Sequence, residues 1–115
     1  MATIALHVDG QATPYHVHKT LPWWLRPIGE PLPTYGQAKS YGLWIAPSRT
    51  LSTWWMNQAV DAVFLNADGT VARIVTGVRP WRTVRCQEAR SVLKLRAGMA
   101  RRLGLEPGTA LDLAT

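Results

Sequence analysis

Apolar positions in this chain fall in short runs broken by turn residues, a pattern of β-strands rather than of amphipathic helices. Residues 2–8 alternate weakly and are expected to form a strand, Asp9-Gly10 a turn, and residues 15–19 (Tyr-His-Val-His-Lys) the return strand. Residues 43–46 (Leu-Trp-Ile-Ala) read as a short buried strand stopped by Pro47, and residues 52–56 (Ser-Thr-Trp-Trp-Met) as a further strand. The clearest hairpin pairs residues 60–65 (Val-Asp-Ala-Val-Phe-Leu) with residues 70–76 across Asn66-Ala67-Asp68-Gly69, where Gly69 can take a positive φ. Residues 77–80 are expected to break it. Residues 92–95 predict another strand and residues 97–103 a short helix, with Gly104 placed to cap its C-terminus. Pro107-Gly108 turns the chain and residues 110–113 close it as a last strand. About seven short strands and one short helix predict a mainly β fold, either a β-sandwich or a partly closed barrel.

The stretch 21–40 holds Pro22, Pro27, Gly29, Pro31, Pro33 and Gly36, which forbids a long regular element. It reads as a structured loop anchored by Trp23, Trp24 and Leu25. At 115 residues the chain is the size of one domain, and no internal repeat divides it. With 47% hydrophobic and 17% charged residues it can bury a core, so it is not disordered as a whole. No apolar run approaches the roughly twenty residues of a membrane-spanning helix, and residues 1–10 lack a secretory pattern. The expected location is the cytoplasm.

Charge changes the picture. Thirteen Lys and Arg stand against seven Asp and Glu, a formal +6. Between residues 79 and 102, Arg79, Arg82, Arg85, Arg90, Lys94, Arg96, Arg101 and Arg102 face one anion, Glu88. Such a patch attracts phosphates or acidic partners, or simply solvates one face. Six tryptophans are the second oddity: Trp23, Trp24, Trp44, Trp54, Trp55 and Trp81. An indole prefers a core edge or a binding surface, where its N–H finds a partner.

Candidate chemistry centres on Asp61. A carboxylate on an apolar strand is costly unless it is paired or hydrogen-bonded. It is expected either to accept a structural bond, from Arg82, Arg49 or a backbone N–H, or to face a ligand. Thr53, Trp55, Asn57 and Gln58 precede it and could floor a polar pocket. Pro80-Trp81-Arg82 could close that pocket with a flat ring and a guanidinium fork. The candidate ligand-binding set is therefore Thr53, Trp55, Asp61, Trp81 and Arg82. Catalytic signals are weak. Ser48 and Ser52 lack a nucleophile elbow, and Cys86 stands alone beside Arg85. His7, His16 and His18 all lie in the first hairpin, where His16 and His18 share a face without a third metal ligand nearby. There is no phosphate-cradling Gly-rich loop. No metal, cofactor or catalytic residue is expected.

Residues 42–113 resemble the bacterial and archaeal domain-of-unknown-function family 192. The resemblance rests on motifs in unbroken order. They are Leu43-Trp44-Ile45-Ala46-Pro47, Ser48-Arg49-Thr50-Leu51-Ser52-Thr53, Met56, Val60-Asp61-Ala62-Val63-Phe64-Leu65-Asn66 and Asp68-Gly69-Thr70-Val71. Pro80-Trp81-Arg82, Val92-Leu93-Lys94-Leu95-Arg96-Ala97-Gly98 and Gly104-Leu105-Glu106-Pro107-Gly108-Thr109 follow. The resemblance implies a jelly-roll-like, mostly β sandwich with one helix, and no established activity. Where the family has Cys and His this chain has Ser48 and Ser52, and where it has acidic residues this chain has Asn66 and Lys94, so thiol or metal chemistry of the family would be lost here. The leading expectation is a non-enzymatic domain that binds a small molecule or a protein. The alternative is a single-stranded nucleic-acid binder using the basic patch and Trp stacking. A small hydrolase using Asp61 ranks third.

Overall fold

The computed structural model describes residues 3–20, 40–53 and 58–113. The Pro-rich loop predicted over 21–40, including Trp23 and Trp24, lies almost wholly outside them, as do Trp54, Trp55 and Asn57. The described strands are β1 (Thr3–Val8), β2 (Gln11–Thr20), β3 (Ser40–Ile45), β4 (Thr50–Ser52), β5 (Val60–Leu65), β6 (Val71–Val78), β7 (Thr83–Arg85), β8 (Ser91–Arg96) and β9 (Leu111–Asp112). One helix, α1, covers Met99–Arg102. Seven strands form one sheet in the order β6-β5-β8-β3-β2-β1-β9, and β4 pairs with β7 in a second. The large sheet curls until its ends meet. Thr70 bridges Ala110, Val71 N–H donates to the Thr109 carbonyl and Leu111 N–H to the Gly69 carbonyl. The mainly β class holds, as a curled half-barrel with a small second sheet and one short helix.

The curl gives each strand an inner and an outer face. Ile4, Leu6, Val17, Val63, Leu65, Leu93 and Leu95 pack inside with Met99 and Ala100 of α1. Val60, Ala62, Phe64 and Val92 pack outside against Leu51, Cys86 and Ala89 beside the small sheet. Every residue of β5 is therefore buried, which is why its sequence reads as a continuous apolar run rather than an alternation. Gly42 marks the tightest approach. A Cβ there would sit 2.7 Å from Leu95 Cδ2, 3.0 Å from the Lys94 carbonyl and 3.1 Å from Val17 Cγ1. Leu95 and Val17 are fully buried and cannot swing away. Gly42→Ala is expected to destabilise the protein by about 1–3 kcal/mol through overpacking, measured by denaturant unfolding.

Several local expectations change. The predicted break at residues 77–80 starts later, because β6 runs through Gly77 to Val78. Thr76 and Gly77 together oppose Asp61, a β-bulge between the Val60–Val78 and Ala62–Val75 pairs. The helix predicted over 97–103 shrinks to one turn, since Gly98 has φ 92° and stands outside it as the N-cap. Gly104 does cap the C-terminus at φ 69°: its N–H donates to the Arg101 carbonyl and the Leu105 N–H to the Ala100 carbonyl. Of the strand expected at 52–56, Ser52 ends β4 and Thr53 lies past it, while residues 54–56 are outside the described residues. Strand β7 has no counterpart among the expected elements.

Candidate functional site

Asp61 sits on the inner face of β5, paired with Leu95, and is fully buried. Its Oδ1 accepts the Gly77 N–H at 3.0 Å, and its Oδ2 accepts the N–H groups of Gly98 and Ala100, both at 3.0 Å. The donors are backbone, not the guanidinium of Arg82 or Arg49. The carboxylate thus does two local jobs from a distant strand. It closes the bulge at Gly77, and it satisfies the first N–H groups of α1, whose own first turn holds no acidic residue. The helix so fixed plugs one end of the curled sheet.

Thr53 is equally occupied. Its N–H donates to the Arg82 carbonyl, and its Oγ1 accepts the Arg82 N–H at 2.9 Å. The hydroxyl lies 2.6 Å from the Arg79 carbonyl and 3.1 Å from that of Arg82, so its one proton goes to Arg79. The Trp81 N–H donates back to the Thr53 carbonyl. This clamp holds Trp81 at φ 65°, a left-handed conformation uncommon outside glycine, with the side chain 51% exposed. Buried Thr53 therefore holds an outward-facing tip that carries Trp81 and Arg82. Asp61 lies behind its base, holding Gly77, and Trp55 is outside the described residues. Thr53→Val leaves the Arg82 N–H and the Arg79 carbonyl without their partner. It is expected to cost about 1–3 kcal/mol, read as a lowered melting temperature.

The basic residues divide into two groups. Val60 pairs with both Val78 and Arg96, which places Arg79 and Arg96 near the plugged end, where Arg101 and Arg102 stand on α1. Arg85 and Arg90 lie toward the opposite, open end together with Arg49.

That open end holds a cavity of about 660 Å³ that the sequence reading did not identify. Leu65, Leu111 and Leu113 line its apolar part, while Lys19, Asn66, Asp68, Arg90 and Asp112 form its rim. Trp44 is on its wall. It pairs with Leu93 of β8, so its ring faces inward. Lys19 Nζ lies 5.0 Å from the ring centroid. The Trp44 Nε1 is buried and has no hydrogen-bond partner among the described residues. Asp68 on the rim is held below the ordinary carboxylate range by the Thr70 hydroxyl, then by the Thr70 N–H, so it stays ionised further into acid. The one sequence signal for this site was the tryptophan count, since an indole inside a strand needs a partner for its N–H.

The metal option sits elsewhere. Val17 points into the core, so His16 and His18 take the outer face of β2. Among the described residues no cluster of three or more His, Cys, Asp or Glu could hold a metal ion. Nor is any described helix long and apolar enough to cross a membrane.

Comparisons with known proteins follow the same line. A crystal structure of a protein of unknown function from Novosphingobium aromaticivorans DSM 12444 superposes with a TM-score of 0.70 at 19% identity, over 96% of this chain and 84% of that one. A crystal structure of a candidate transcription regulator from Sinorhizobium meliloti 1021 superposes with a TM-score of 0.72 at 24% identity, over 96% of this chain and 93% of that one. At these identities the likeness shows the shared fold. No curated protein matches the chain. The family model of DUF192, described as "Uncharacterized ACR", matches residues 36–113. With most of its length under that model and the fold in agreement, the chain belongs to the DUF192 family.

Proposed function

We propose that this domain is a non-enzymatic binder of a small ring-bearing molecule, taken at the open end of the curled sheet. The observation that carries the reading is the Trp44 indole N–H, buried in the wall of the cavity with no partner among the described residues. A buried donor left unmade costs about 1–3 kcal/mol, and since this N–H is closed off from the hollow, a ligand acceptor would recover it by shifting the wall around Trp44. Mouths of β-barrels are also frequent ligand sites, and this hollow, open to solvent, has room for a small molecule. The hydrolase reading relied on Asp61, whose carboxylate is enclosed by three backbone N–H groups away from solvent.

The test is a titration of small heteroaromatic fragments, followed through the tryptophan indole N–H resonances, with the Trp44 signal assigned by its loss in Trp44→Phe. Fragments that bind should move the Trp44 signal first, and Trp44→Phe should weaken them. Fragments that bind while leaving that signal still would reject the reading.

A second reading is favoured by the Trp81 tip, an exposed ring held outward between Arg79 and Arg82. Single-stranded nucleic acid is recognised by such rings among cations. If the plugged end is only a solvated basic face, oligonucleotides should bind no tighter than about 10⁻⁴ M at physiological salt. Sub-micromolar binding that is lost on changing Arg101 and Arg102 to Glu, and that falls steeply with salt, would establish this reading instead.

A further inference from the structure

We propose that the ligand of the open end is a phosphate monoester of nucleotide size, whose phosphate rests on Arg49, Arg85 and Arg90; this deepens the reading of the open end as a ligand site and rests on it. A second hollow, of about 370 Å³, adjoins the first, and the two share Pro47 and Arg90. Its walls carry the three arginines, and no acidic side chain lines it among the described residues.

The arginines branch from backbone that is tied together. Ser48 N–H donates to the Arg90 carbonyl at 3.0 Å, Cys86 N–H to the Arg49 carbonyl at 2.9 Å, and Thr50 pairs with Arg85 across β4 and β7. Arg49 Nε donates to the Ala89 carbonyl at 3.2 Å, which orients that guanidinium and leaves its terminal amino groups for a ligand. The side chains of Arg85 and Arg90 are exposed and have no hydrogen-bond partner among the described residues. The acid closest in sequence, Glu88, is turned elsewhere: its carboxyl is held low by its own backbone N–H, then by the Cys86 thiol.

Three guanidinium forks around one hollow outnumber the two oxygens of a carboxylate. They suit the three free oxygens of a dianionic phosphate, which accepts bidentate bonds from several directions. The neighbouring cavity supplies what a ring needs: apolar walls, the Trp44 ring and an unpartnered donor. Arg90, common to both hollows, marks where ring and phosphate would join.

Calorimetric titration with AMP, adenosine and inorganic phosphate tests this on the wild type, Arg85→Gln and Trp44→Phe. Arg85 is exposed, so its variant is expected to fold, which circular dichroism checks. AMP should bind at least about tenfold tighter than adenosine, the effect of a single charge-assisted hydrogen bond. Arg85→Gln should erase most of that difference while leaving adenosine unchanged, and Trp44→Phe should weaken both nucleotide and nucleoside. Equal affinity for AMP and adenosine, with both dependent on Trp44, would overturn the phosphate inference and leave the open end as a ligand site. AMP and inorganic phosphate binding alike, dependent on Arg85 and indifferent to Trp44, would overturn both the joined ligand and the open-end reading. Absence of AMP binding overturns the proposal outright.

Discussion

Asp61→Ala is expected to cost at least about 3 kcal/mol in denaturant unfolding. The substitution removes the charged acceptor of three N–H donors, that of buried Ala100 and those of Gly77 and Gly98 in exposed residues, and a hydrogen bond to a charged group contributes about 1.5–3 kcal/mol. The loss is a large share of the stability of a domain this size. Asp61→Asn makes the test sharper. It keeps the volume and removes the charge, but an amide has one oxygen and the site needs acceptors at both ends. One N–H must then face an NH₂ group, so Asn should also destabilise, by about 2 kcal/mol or more. A carboxylate in an open cleft would tolerate Asn with little change in melting temperature. Near-neutral stability of both variants would therefore refute the structural role.

Phe64→Ala is the second large effect, expected at about 3–5 kcal/mol, or a melting temperature lowered by more than about 10 °C. Phe64 is fully buried on the outer face of β5 among Val60, Ala62, Val92, Leu51 and Cys86. Removing its ring leaves a cavity between the curled sheet and the layer that β4 and β7 form beside it. Those strands have three residues each, too few to move in as a unit without losing their own pairing. A cost below about 1 kcal/mol would mean that the outer layer is not packed on β5.

The hairpin of β5 and β6 was legible because everything it needs is local: two apolar runs and an Asp68-Gly69 turn, with Gly69 at φ 87°. The first turn was legible on the same terms, with Asp9 at φ 50° and Gly10 at φ 80°. What sequence reasoning missed is set by contacts between distant residues. Gly77 looks like a strand breaker by its neighbours, yet Asp61, sixteen residues away, holds its N–H and carries the strand past it. Gly98 looks like the second residue of a helix until its φ of 92° excludes it. Strand β7, with mostly exposed residues, has no apolar period to reveal it.

The site divides the same way. Thr53, Trp81 and Arg82 were expected to surround a pocket at Asp61; these three do meet, but Asp61 lies behind them, bonded to Gly77, Gly98 and Ala100. That the Thr53 hydroxyl serves the backbone was not readable from residue type. The open end draws on residues from Lys19 to Leu113, and only the closure of the sheet brings them together.

That closure also sets an order in time. The seam joins residues 69–71 to residues 108–111, and Asp9 Oδ1 accepts the Ala110 N–H from the far side. A ribosome therefore delivers nearly all of the inner face, from Ile4 to Leu95, before the segment that shuts it has emerged. Until then β1 and β6 are open edges flanking an uncovered apolar surface, a form that invites pairing with other chains. Residues 105–113 act as the latch of the fold, and a nascent chain stalled before them would be a substrate for chaperones.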